Sequence, residues 1–151
     1  MNSRRVATTN PPSTYCPSVL VVEDYPAMLE SISRRLRIEQ LQVYEATSGE
    51  AAIEIAHRER PDLALIDYGL PGLNGVQTAA AIRTAGFELR WILFSAAPNP
   101  EAAFQAGRSG ALRAVWTPFN AYEIVRQAIE IPGRAKDGEW SRLLYARRLP
   151  Q

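Results

Sequence analysis

Short apolar runs recur along this chain, each followed by a segment whose apolar positions fall at helical spacing. Residues 19–22 (VLVV) form a continuous apolar run, the pattern of a strand buried on both faces. Pro26 suits a first helical turn, and Met28, Leu29, Ile32 and Leu36 follow at helical spacing. Residues 42–46 predict a second strand, and Ser48 can cap a helix carrying Ala51, Ala52, Ile55 and Ala56 on one side. Pro61 and Asp62 break that helix ahead of a third strand at 63–66. The loop YGLPGLNG, in which Pro71-Gly72 suits a type II turn, leads to a helix over 76–84 closed by Gly86. A strand at 91–94, a short helix at 101–106 and a weak strand at 114–116 follow. Asn120 then caps a last helix running to about 130.

Five strands alternating with five helices through short connections predict parallel pairing and right-handed crossovers. The expected fold is α/β, three-layered, with helices on both faces of the sheet. Ligands of such open sheets bind beyond the carboxyl ends of the strands. Glu23 and Asp24 follow the first strand, Asp67 the third and Ser95 the fourth. Side-by-side strands would gather these carboxylates into one pocket, where like charges raise one another's pKa. A hard divalent cation removes that cost, and Mg²⁺ typically takes one or two carboxylates together with phosphate and water.

At 151 residues and 46% hydrophobic, the chain suits one domain with a proper core. The net charge of +1 points to no nucleic-acid partner, but it is unevenly spread. Residues 1–17 carry Arg4 and Arg5 and no acid, and are polar, Pro-rich and aperiodic, the pattern of a flexible arm. Residues 18–132 form the domain proper and are mildly acidic. Residues 133–151 are basic, and Trp140, Leu143 and Leu144 recur there at helical spacing among Arg142, Arg147 and Arg148. This extension reads either as a helix covering the domain's own surface or as an amphipathic docking segment for a partner or for a second copy in a homodimer. Cys16 is the lone cysteine, so no internal disulfide can form, in keeping with a reducing cytoplasm. No apolar run reaches 18 residues and no hydrophobic signal core opens the chain, so a cytoplasmic protein without a membrane partner is expected.

Five landmarks in register over residues 18–131 resemble a response-regulator receiver domain of two-component signalling. They are the acidic pair in VLVVEDYP, Asp67 in LALIDYGLPGLNG, Ser95 in WILFSAA, the SGA segment at 109–111, and Pro118-Phe119. The resemblance implies a flavodoxin-like (βα)5 sheet in the order 2-1-3-4-5. It implies that Asp67 accepts a phosphoryl group from a histidine kinase or phosphotransfer protein, and that Asp24, Asp67 and the Gly69 carbonyl ligate Mg²⁺, with Glu23 acting through water. Ser95 would then bond a phosphoryl oxygen and draw in the loop after the fourth strand, remodelling a face read by a downstream protein partner. Such transfer relies on positioning and charge neutralisation, so at most self-phosphorylation and self-dephosphorylation at Asp67 are expected of the chain as an enzyme.

Two departures from the family pattern stand out. Thr117 occupies the place of the lysine that precedes Pro-Phe, and Lys136 is the one lysine of the chain. A charge-assisted hydrogen bond contributes about 1.5–3 kcal/mol, so its loss weakens phosphoryl stabilisation or its coupling to conformation. Arg113 and Arg90 are candidate substitutes. Ala114 stands where the family has a mobile aromatic ring, with Trp116 on the same strand face. Three readings follow: a stand-alone receiver phosphorylated on Asp67, a degenerate receiver that acts as a constitutive interaction module, or a small phosphohydrolase. The last would resemble haloacid-dehalogenase-like enzymes, which need a second acid where this chain has Gly69. A flavodoxin-like cofactor binder would need a phosphate loop where this chain has EDYP. His57 reads as a surface residue compensating a helix dipole, Trp91 and Phe94 as core, and Arg34, Arg35 and Arg37 as a solvated helix face.

Overall fold

A computed structural model of the chain describes residues 16–129. Five strands, β1 (Ser18–Val22), β2 (Gln42–Ala46), β3 (Leu63–Asp67), β4 (Trp91–Ser95) and β5 (Arg113–Trp116), form one sheet. Between and after them come α1 (Pro26–Ile38), α2 (Gly49–Glu59), α3 (Gly75–Thr84), α4 (Pro100–Arg108) and α5 (Ala121–Ile129). All pairings are parallel and the spatial order is β2-β1-β3-β4-β5, the doubly wound arrangement expected. The order reverses between β1 and β3, whose carboxyl ends flank the crevice where such sheets take ligands.

Alternation along the strands divides the core in two. Val19, Val21, Leu65, Ile92 and Phe94 pack with α1 and α5 residues such as Leu36 and Val125. Leu20, Val22, Ile66 and Leu93 pack on the other face with Ala52, Ala79 and Ala106 from α2, α3 and α4. Each fully buried Val, Leu, Ile or Phe contributes about 1.5–3 kcal/mol, so the central strands β1, β3 and β4 anchor the sheet. Trp91 and Phe94 are both 1% exposed and belong to this core.

The helix starts follow from local chemistry. Ser48 accepts from the Ala51 N–H at 3.1 Å and Asn120 from the Glu123 N–H at 3.0 Å, as their placement predicted. Asn74 and Gln77 form a reciprocal capping box, each side chain bonded to the other's peptide N–H at 2.9 Å. Helix α3 therefore begins at Gly75, one residue before its first apolar position. Gly72 has φ of 76°, the value a type II turn requires at its second central residue.

Some boundaries differ from the pattern. Asp67 and Ser95 are the last residues of their strands rather than the first beyond them, and α4 begins at Pro100. Pro17, grouped with the arm, is buried, and its carbonyl accepts from the Gln42 N–H at 2.9 Å. The rest of the arm up to residue 15, and the extension at 133–151, lie outside the described residues. His57 is exposed in the last turn of α2. Arg34, Arg35 and Arg37 are also exposed and pair with Glu30, Glu39 and Glu45.

Candidate functional site

Strand β1 delivers Glu23 and Asp24 to the carboxyl edge of the sheet, and its neighbour β3 delivers Asp67. The Glu23 N–H prolongs the β1–β2 ladder by donating to the Ala46 carbonyl at 3.0 Å. On the other side of β1, Val22 is the register partner of Ile66, so Asp67 ends β3 level with the acidic pair. The outcome is a cluster in which Glu23, Asp24 and Asp67 each offer a carboxylate oxygen within 4.8 Å of the others'. Glu23 is buried, Asp67 half-buried and Asp24 exposed, so the cluster opens to solvent on one side.

Backbone N–H groups hold two of these carboxylates in place. Tyr25 N–H donates to Glu23 Oε2 at 3.0 Å, and Gly69 N–H donates to Asp67 Oδ1 at 3.3 Å. Tyr25 is the N-cap of α1, with Pro26 in the first helical turn, so the helix start and the acid pair are set together. The loop after β3 is fixed from behind: the Tyr68 N–H donates to the Phe94 carbonyl at 2.9 Å, and the Gly75 N–H to the Tyr68 carbonyl at 3.0 Å. Gly75 is required here. A Cβ at that position would lie 2.4 Å from the Asp67 carbonyl oxygen.

The electrostatics follow from burial and crowding. Burial pushes the Glu23 carboxyl up from 4.5 to about 7, the Asp67 charge adds to the rise, and the Tyr25 N–H opposes it. Asp67 is also raised, chiefly by burial, with the charge of Asp24 adding and the Gly69 N–H and Glu23 opposing. Three carboxylates this close favour a proton or a cation in their midst. Oxygen-only ligands in this number suit a hard divalent ion, so the residues present fit Mg²⁺.

Ser95 ends β4. Its neighbour Phe94 is the register partner of Asp67, so Ser95 stands one residue farther out on the adjacent strand. Thr117 follows β5, joined to Pro118 by a cis peptide bond. Its N–H donates to the Ser95 carbonyl at 3.0 Å and its hydroxyl to the Ala96 carbonyl at 2.8 Å. The acid cluster, Ser95 and Thr117 thus share one edge of the sheet. Gly69 lies beside Asp67 through the bond already noted.

The two arginines considered as lysine substitutes lie at the opposite edge. Arg90 precedes β4 and donates to the Ala128 carbonyl at 3.1 Å, and Arg113 opens β5 and is bonded to Gln127. Neither is at the carboxyl end, a fact their place ahead of the apolar runs already encoded. Ala114 faces the α2–α4 side and packs against that half of the core. The Asn74–Gln77 box and the Thr117–Ala96 bond were missed from sequence. An N-x-x-Q spacing would have revealed the first, whereas the second depends on the β4–β5 register. Beside Thr117 runs an open groove of about 820 Å³ that includes Met28, Ile32, Arg35, Pro118 and Phe119. It has no acidic residue and is not part of the carboxylate cluster.

Comparison with known proteins identifies the family of this fold. The chain matches the response regulator receiver domain over residues 19–129. The transcriptional regulatory protein NarL of Mycobacterium tuberculosis is 35% identical over 114 residues, 74% of this chain and 53% of that protein. The nitrate/nitrite response regulator NarL of Escherichia coli is 28% identical over 116 residues, 74% of this chain and 54% of that one. The chain therefore spans about half the length of these relatives. Among solved structures, the signal receiver domain of M. tuberculosis NarL superposes with a TM-score of 0.69 at 31% identity, covering 76% of this chain and 98% of that one. Chemotaxis protein CheY4 of Vibrio cholerae, at 21% identity, shares the fold with a TM-score of 0.71 over 78% of this chain and 100% of its own. No helix among the described residues is long and apolar enough to cross a membrane. This chain belongs to the response-regulator receiver domain family of two-component signalling.

Proposed function

We propose that the chain accepts a phosphoryl group on Asp67 from the phosphohistidine of a sensor kinase or phosphotransfer protein and signals through contacts with a downstream protein. The observation that carries this reading is the convergence of Glu23, Asp24 and Asp67 at adjacent strand ends, with their ligand oxygens within 4.8 Å. In the transfer, an Asp67 carboxylate oxygen forms a bond to phosphorus. The phosphorus–nitrogen bond to the donor imidazole breaks, its electron pair stays on that nitrogen, and a proton from solvent restores the neutral ring. Asp24 and Asp67, the Gly69 carbonyl and, through water, Glu23 are the groups that would hold Mg²⁺. The ion when bound neutralises charge that would otherwise repel the incoming phosphoryl oxygens. Gly69 N–H donates to Asp67 Oδ1 and steadies the carboxylate. Ser95, on the neighbouring strand, would donate its hydroxyl to a phosphoryl oxygen.

A second reading has its own observation. Thr117 supplies no cation, its hydroxyl is engaged with the Ala96 carbonyl, and Arg90 and Arg113 are at the far edge. A receiver so equipped can act as a constitutive interaction module that never switches. The two readings separate on Mg²⁺-dependent binding of beryllofluoride and on labelling by acetyl phosphate. Labelling of the wild type that vanishes in Asp67→Asn supports the phospho-acceptor. Absence of labelling that Thr117→Lys restores supports the constitutive module. Release of phosphate from simple esters would overturn both in favour of a hydrolase.

A further inference from the structure

Thr117 grips two consecutive carbonyls at the end of β4. Its peptide N–H donates to Ser95, continuing the β4–β5 ladder in which Ser95 pairs with Trp116. Its hydroxyl donates to the next carbonyl, that of Ala96, at 2.8 Å, beyond the last ladder pair. From Ala96 the chain leaves the sheet for α4. Ala96, Ala97 and Pro98 are exposed and have no polar side chain with which to anchor the segment. The next side-chain anchor is Asn99, which caps α4 through the Ala102 N–H at 3.0 Å. A hydroxyl has one proton to donate. With that proton on Ala96, Thr117 offers nothing to an anion at Asp67.

We propose that Thr117 is a positioning residue whose hydroxyl tethers the start of the β4–α4 segment to β5 in the resting chain. The tether fixes the main chain that carries Ser95 before any phosphoryl group arrives. Its consequence for signalling rests on Asp67 being the acceptor: the segment that Ser95 would draw inward is already held, so phosphorylation changes its position less. The tether itself does not depend on that chemistry.

Hydrogen exchange and carbonyl ¹³C spectra of the full chain test this without metal or phosphoryl donor. Thr117→Val keeps the branched shape and removes the O–H, whereas Thr117→Ser keeps the O–H. In Thr117→Val the amide of position 117, which donates to the Ser95 carbonyl beside the tether, exchanges about five- to tenfold faster, the loss expected for one neutral hydrogen bond. The Ala96 carbonyl resonance shifts as well. Thr117→Ser returns both readings to near the wild type. Unchanged amides in β1 and β3 show that the fold is intact. Wild-type exchange and carbonyl shift in Thr117→Val, or a Thr117→Ser variant that behaves like Thr117→Val, would overturn the tether. Since no phosphodonor is present, neither outcome bears on Asp67. Failure of the wild type to take beryllofluoride would in turn leave the tether standing.

Discussion

Glu23 is only 5% exposed, and the hydrogen bond from the Tyr25 N–H does not offset its burial beside Asp67. Its carboxyl holds a proton up to about pH 7 in the folded chain, against an ordinary value of 4.5. Between those values the folded state binds more protons than the unfolded one, so stability falls as pH rises. The contribution is complete below about pH 4.5 and gone above about pH 7. Urea midpoints of chelator-treated protein are expected to decline across that window, and to decline less steeply in Glu23→Gln, where Asp67 still titrates above its ordinary value. A midpoint that climbs through the window would refute the assignment. Asp67→Asn acts at the same place from the other side. Removing one of three crowded charges is expected to stabilise the metal-free protein above about pH 7 by roughly 1 kcal/mol, about 4 °C in Tm, with beryllofluoride binding lost. Thermal unfolding at pH 8 and pH 5 checks it, since the gain shrinks where protons already relieve the crowding.

At the scale of elements, α3 is placed by its closest approach to β3. A Cβ on Gly75 would come within 2.4 Å of the Asp67 carbonyl oxygen and 3.0 Å of Leu93 Cδ1. Gly75→Ala must therefore push the helix start away from the strand end that carries Asp67. Overpacking of this kind costs about 1–3 kcal/mol, read as a lower urea midpoint, and Mg²⁺ affinity is expected to fall with it. Wild-type stability and affinity in Gly75→Ala would show that the approach is slack. The elements themselves were legible in the sequence, since parallel strands buried on both faces show as VLVV, LALI and WILF, and the turn residues punctuate them. The acidic edge was legible for the same reason, because an acid pair follows β1, β3 ends in Asp67, and the two strands pair in register. The reach of a side chain across strands was not. Thr117 and Ala96 meet only because β5 lies against β4 in one register, and no local pattern specifies that. The arginines were misjudged because their charge was weighed without their place along the strands: Arg90 stands before an apolar run and Arg113 opens one, so both occupy the amino edge.

At the scale of the whole molecule, folding assembles the acidic pocket from two separate βα units, so the unfolded chain has no equivalent site. A ligand that binds only the folded state stabilises it, by about 2.7 kcal/mol at a hundredfold excess over Kd. The Tm of the chain is therefore expected to rise with the logarithm of Mg²⁺ concentration, and Asp24→Asn and Asp67→Asn each to flatten the rise. Added NaCl at matched ionic strength separates this from screening, which acts mainly on exposed charges over about 8–10 Å. An equal rise in NaCl would leave no need for a site. Thr117 sharpens the test. Among the described residues, with threonine at this position and both candidate arginines at the other edge, relief of the three carboxylates falls to protons or to a bound ion. Thr117→Lys places an ammonium at the family's position, where it competes for the same charge. The metal-free Tm of that variant is expected to rise, and its further gain from Mg²⁺ to be smaller than in the wild type. If the two gains in Tm are equal, the ammonium and the ion are not sharing one field, and the side chain at position 117 does not reach the carboxylates.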